Sequence, residues 1–157
     1  MAANQTTSSQ DSHRQAYVFD SSVPELQGLI DAVRAGSAGD SAPLFLVLTA
    51  GSDGVLELAE ALDGVSGLDA IHIFSHGSTG SLYLGSTVLN QASLPWYSQA
   101  LTQMGSALGD NGDLLVYGCD VGQGSSGHNF IQQLAMATGA DVAASTDTTG
   151  TTFAGAN

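Results

Sequence analysis

Lysine is absent from this chain of 157 residues, and only two arginines, Arg14 and Arg34, oppose 15 carboxylates. The formal net charge is −13 with histidine neutral. A chain this poor in cations has no footprint for a phosphate backbone, so nucleic-acid partners are not expected. A nucleotide or phosphorylated effector held by cations is disfavoured on the same ground. Cys119 is the single cysteine, so no disulfide can form within the chain and the redox compartment stays open. No apolar run approaches the roughly 20 residues that span a bilayer, so membrane insertion is not expected. MAANQTTSSQDSHRQ lacks the apolar core of a secretory signal, and residues 1–15 read as a disordered tail. HExxH, CxxC and the EF-hand ligand series are all missing, so no metal cofactor is expected. Calcium is the one ion that the acidity favours, but no dense acidic loop supports it.

Strand and helix signals alternate along the remainder. AYVFD (16–20) is a short apolar strand. SSVPEL follows, with Ser22 and Glu25 at capping-box spacing and Pro24 suited to a first turn. A helix is predicted there, with Leu26, Leu29, Ile30 and Val33 on one face and Gly36 as its stop. LFLVLT (44–49) is unbroken apolar sequence, as for a strand covered on both faces. GSDG opens a second helix whose face is Val55, Leu58, Ala59 and Leu62. AIHIFSHG (70–77) predicts a third strand and SLYLGSTVLN (81–90) a small hairpin around Gly85-Ser86. Residues 92–108 predict a helix after Pro95, and DLLVYGC (113–119) a fourth strand. Residues 125–139 predict a helix with Phe130, Leu134 and Ala137 inward and Gly139 as stop. DVAAST (141–146) is a fifth strand, and DTTGTTFAGAN reads as loop and the start of another.

Alternating βα units predict an α/β three-layer sandwich, one domain over residues 16–157. Its mostly parallel sheet of five to six strands takes the order 2-1-3-4-5, with right-handed crossovers. Strands three and four are then neighbours about 4.8 Å apart. The loops beyond their carboxyl ends form the usual site of such folds. Ser75-His76-Gly77 ends one of these strands and Gly118-Cys119-Asp120 the other. A thiol needs a base or a lowered pKa to attack a carbonyl near neutral pH, and His76 can supply the base. The N–H groups of Gly77 and Cys119 are candidates for an oxyanion hole. Alone, Cys119 would read as a small buried hydrophobe at a strand end. The His-Gly one strand over is what gives it chemical meaning.

Other candidates are weaker. His72 and His76 would form a metal pair on a helix, but four strand residues span about 13 Å. One ion cannot reach both, so His72 reads as structural. His128 falls in the first turn of a helix and suits a surface or capping role; His13 lies in the tail. An α/β-hydrolase elbow built on Cys119 fails because Tyr117 and Val121 occupy positions that must be small. GSDG matches neither GxGxxG nor a Walker sequence.

A strand ending in His-Gly, followed by one ending in a small residue and Cys, resembles the caspase-like (clan CD) cysteine peptidases over most of residues 16–150. That group includes caspases, gingipains, clostripain, legumain and separase. VFDSSVPEL, LTAGSDGV, IHIFSHGSTGSLYLG and VYGCDVG resemble more closely a domain of unknown function near the N-terminus of large bacterial surface adhesins. The resemblance implies a caspase-like fold and cysteine endopeptidase activity, with Cys119 as nucleophile, His76 as general base and Gly77 in the oxyanion hole. The family often has Ala before the cysteine, where this chain has Gly118. A protein or peptide substrate is implied, including the parent chain itself. The implied setting is the bacterial surface or exterior, within a longer secreted protein of which this chain is an excerpt. The alternative is a catalytically idle interaction module of such an adhesin. A pocket for an acidic side chain would need arginine, and neither Arg14 nor Arg34 is well placed. Asp120 and Asp147 are the candidate pocket residues for a basic side chain, Asp147 lying where relatives that cut after Lys or Arg carry a carboxylate. Either also suits a turn. A sixth strand, from residues 151–157 or from another chain, would close the sheet edge. Oligomeric state is not legible.

Overall fold

The computed structural model describes residues 14–146. Within them the elements run β1 (Gln15–Asp20), α1 (Leu26–Gly36), β2 (Leu44–Leu48), α2 (Gly54–Ala61), β3 (Leu68–Phe74) and β4 (His76–Ser78). There follow β5 (Ser81–Leu84), β6 (Thr87–Asn90), a 3-10 turn (Leu94–Tyr97), α3 (Ser98–Ser106), β7 (Leu108–Tyr117), α4 (Gly124–Thr138) and β8 (Asp141–Ala144). Asp147 and the candidate sixth strand at 151–157 lie outside the described residues.

Five strands form a parallel sheet in the order β2-β1-β3-β7-β8. Counted along this sheet, that is the expected order 2-1-3-4-5. Successive side chains of a strand face opposite ways, and here each parity serves its own core. Ala16, Val18, Ile71, Ile73, Leu114 and Val116 join the buried faces of α2, α3 and α4. Tyr17, Phe19 and Phe74 pack against Ile30 and Val33 of α1. The molecule is therefore a three-layer α/β fold with one crowded face and one covered by a single helix.

Several local expectations need correction. No capping box forms at α1: Glu25 sits in the left-handed region at φ 54 and makes no side-chain cap, and the helix starts at Leu26. Ser22 instead bonds back to Asp20, because a carboxylate two residues away is closer than the helix it was expected to cap. β2 is not covered on both faces, since it is an edge strand and Val47 is 42% exposed. The third strand stops at Phe74, not Gly77. The polar SHGS stretch lacks an apolar alternation to hold it in the parallel sheet. It pairs antiparallel with β5, making a three-stranded sheet with β6 rather than a lone hairpin. The fourth strand begins at Leu108 and ends at Tyr117. Its pairing jumps from Leu68↔Leu108 to Ala70↔Asp113, and the glycine-bearing segment between bulges out. Cys119 thus lies in the turn beyond β7, not in the strand.

Helix boundaries otherwise follow their local chemistry. Asp53 caps α2 by accepting from Val55 N at 3.1 Å and Leu56 N at 3.2 Å. Gly139 ends α4 in the left-handed conformation at φ 76.

Candidate active site

β1, β3 and β7 end at one level, with Phe19 opposite Phe74 and Phe74 opposite Tyr117. One residue on, Ser75 N donates to Tyr117 O at 3.2 Å. The chain then turns into β4 on one strand and into Gly118-Cys119 on the other, and the two turns touch through backbone. A Cβ placed on Gly118 would lie 3.4 Å from both Gly77 N and His76 C. One placed on Gly77 would strike the Val121 Cγ2 methyl and lie 3.3 Å from Cys119 O. Val121 is fully buried beneath both turns. Glycine is needed at 77, where a Cβ has no room beside the Val121 methyl; at 118 a Cβ would lie 3.0 Å from the same methyl and otherwise in ordinary contact. Sequence-expected His76, Gly77 and Cys119 are therefore brought together, with His76 exposed and Cys119 half-buried.

Asp120, directly after Cys119, has φ 57, a left-handed conformation that aspartate tolerates better than most residues. Gln123 N donates to its carbonyl at 3.0 Å, closing the turn that leads into α4. Asp120 is half-buried, and a turn-forming role for it is visible.

A second group of residues approaches His76 from β1. Asp20 ends that strand with only 3% exposure. Its Oδ1 accepts from Ser22 N at 2.9 Å and Ser22 Oγ at 2.5 Å, and its Oδ2 accepts from Gly85 N at 2.6 Å. The turn so formed presents the Ser22 carbonyl, to which His76 Nε2–H donates at 3.0 Å. A carbonyl only accepts, so Nε2 carries the proton and the neutral ring keeps its lone pair on Nδ1. Burial pushes the Asp20 carboxyl up. Hydrogen bonds from the Ser22 hydroxyl and the Gly85 and Ser22 amides, with attraction to His76, outweigh that and hold it below the usual carboxylate value. One ionised carboxylate thus ties the β1 turn, which holds His76, to the β5–β6 turn.

The family model described as Domain of unknown function (DUF4347) matches residues 17–157. The chain belongs to the DUF4347 family. Among curated proteins, none matches it. Asp20, Ser22, His76, Gly77 and Cys119 all fall within the matched stretch of this DUF4347 domain.

Asp20 and Ser22 were missed as site residues by reasoning on the sequence. The available signal was FDSS: an aspartate closing a central strand of an α/β sheet, with serine two residues on in Asx-turn spacing. It was masked by the competing capping-box pattern. His72, by contrast, has the structural place expected of it. Its ring stacks on Tyr17 at 4.8 Å between centroids, Tyr117 Oη lies 3.1 Å from Nδ1, and Gln15 Oε1 lies 2.5 Å from Nε2. Burial lowers its pKa, with Asp40 opposing. His128 is exposed as the fifth residue of α4, just past its first turn. Among the described residues of the DUF4347 domain, no three His, Cys, Asp or Glu side chains converge to hold a metal ion. No helix there is long and apolar enough to cross a membrane.

Proposed function

We propose that this DUF4347 domain is a caspase-like cysteine endopeptidase with Cys119 as nucleophile and His76 as general base. The observation that carries the reading is the contact of the His76-Gly77 and Gly118-Cys119 turns, with the imidazole tautomer set by the Ser22 carbonyl. In that tautomer Nδ1 takes the Cys119 thiol proton, and the thiolate sulfur attacks the peptide carbonyl carbon. Negative charge gathers on the carbonyl oxygen, for which the Gly77 and Cys119 N–H groups are the proposed donors. Collapse breaks the C–N bond, and the departing amine takes the proton from His76. Water, deprotonated by the same ring, then cleaves the thioester, releasing the carboxylic acid and restoring the thiol. The substrate class is a protein or peptide, including segments of a longer surface protein that carries this domain. Asp120, next to the nucleophile in sequence, is the proposed source of a preference for a basic side chain. A peptide library cut equally well after Ala and Arg would remove that preference.

Labelling with a peptide electrophile tests the dyad. Wild type is expected to label at Cys119. Cys119→Ala should abolish labelling, and His76→Ala should slow it by about a hundredfold or more, the usual scale of general-base assistance. Equal rates in wild type and the histidine variant would sink the proposed base. No labelling of folded wild type would favour the idle interaction module.

A further inference from the structure

A groove of about 430 Å³ lies between α2 and α3, and none of its lining residues belongs to the Asp20–His76–Cys119 cluster. Leu56, Trp96 and Tyr97 line it together with the carboxylates of Glu60 and Asp63 and the amides of Gln99 and Gln103. Trp96 is 84% exposed and Leu56 is 52% exposed. The 3-10 turn that carries Trp96 is pinned on either side of it. Leu94 is buried in the main core, and Tyr97 Oη donates to Asp53 Oδ2 at 2.7 Å. The indole is thus held outward, and the fold draws little from it. A large apolar side chain held in water beside an exposed leucine marks an interaction surface.

Charge decides among the occupants. A second copy in a twofold contact would bring together two grooves that each carry Glu60 and Asp63, in a chain of net charge −13. An anionic lipid surface is repelled for the same reason. The chain offers no lysine to neutralise the groove, and Arg34 is occupied elsewhere, 4.8 Å over the Phe45 ring. We propose that the groove docks a cationic amphipathic peptide segment of another protein. Its apolar side covers Leu56 and Trp96, and its Lys or Arg groups meet Glu60, Asp63 and the indole face. This does not depend on any activity of Cys119.

Trp96 is the only tryptophan, so its emission reports on the groove alone. The probe is an amphipathic peptide of Leu and Lys at helical spacing, compared with the same peptide bearing Glu for Lys. The Lys peptide should shift Trp96 emission to shorter wavelength saturably, and the Glu peptide should not. By calorimetry, Trp96→Ala should weaken Lys-peptide binding about tenfold or more, as loss of an aromatic anchor does. Glu60→Gln with Asp63→Asn should weaken it about threefold and flatten its salt dependence. Circular dichroism melts matching wild type would show both variants folded. The proposal is overturned if the Lys peptide binds without moving the emission, or if both variants bind it as wild type does. It is also overturned if the Glu peptide binds equally, or if wild type alone forms a dimer that Trp96→Ala dissolves.

Discussion

His72 and His76 are four residues apart, yet one lies inside β3 and the other just beyond its end. His72 follows the strand alternation into the face covered by α1, where Tyr17 and Tyr117 stack at 4.8 and 5.9 Å and both ring nitrogens meet polar partners. His76 follows the point where the chain leaves the parallel sheet. It is exposed, with Nε2 held by a backbone carbonyl. The same residue type is packed and neutralised within the strand, and oriented but reachable beyond it. What separates the two is where the parallel pairing stops, because a buried polar group must be satisfied while a strand-end group need only be aimed.

The contrast can be broken from either side, and the reactive end should give the larger effects. Cys119→Ala is expected to abolish electrophile labelling and any peptide cleavage while leaving the thermal midpoint close to wild type. A folded Cys119→Ala protein that still cleaves would place the chemistry elsewhere. Gly77→Ala should come next, at a cost of about 1–3 kcal/mol by urea unfolding, because the methyl must displace Val121 while crowding the Ser81 and Cys119 carbonyls. An unchanged midpoint would mean the two turns have room to part.

Asp20→Ala should lose about 1–3 kcal/mol by leaving the Gly85 and Ser22 amides without their acceptor. It should also scramble the His76 tautomer, read as imidazole nitrogen chemical shifts. Asp20→Asn keeps an acceptor for Ser22 but sets its amide NH2, a donor, against Gly85 N–H, so it should lose stability and keep the tautomer. If the tautomer also survives Asp20→Ala, the Ser22 turn holds itself and Asp20 is structural only.

The smallest expected effect is a pH slope at the interior histidine. The folded pKa of His72 lies below the ordinary 6.5, so the unfolded chain binds the proton more readily. Its contribution is whole above about 6.5 and is lost as pH falls below that value. His72→Phe should therefore flatten the decline in urea midpoint between roughly pH 7 and pH 5. The depressed carboxyl of Asp20 acts in a separate window. Its stabilisation is present above the ordinary 3.8 and is lost as pH falls through the lower folded value. If His72→Phe declines as steeply as wild type from pH 7 to 5, some other group carries that slope.

Much of the architecture was legible because it rests on periodicity. Val55, Leu58, Ala59 and Leu62 fall on one helical face and are all buried, and Gly139 stops its helix as such glycines do. Element ends were less legible, because they depend on tertiary competitors. Ser22 had two acceptable partners, a helix to cap and an aspartate two residues back, and local pattern does not rank them. LFLVLT is as apolar as a central strand, but its place at the sheet edge leaves Val47 in solvent. The pairing of SHGS with Ser81–Leu84 was hidden by its polarity.

For the candidate site, the residues SHG and GCD and the neighbouring order of their strands follow from the chain itself, since βα alternation fixes which strand ends meet. Composition likewise sets the acidic surface and the lack of lysine. Only the tertiary structure decided that β3 lets go at Phe74, that the Val121 methyl packs against both glycine turns, and that Asp20 holds the turn whose carbonyl orients His76. Those are contacts between segments far apart in sequence. Their outcome depends on which partner fits a shared space best, and no local propensity encodes that.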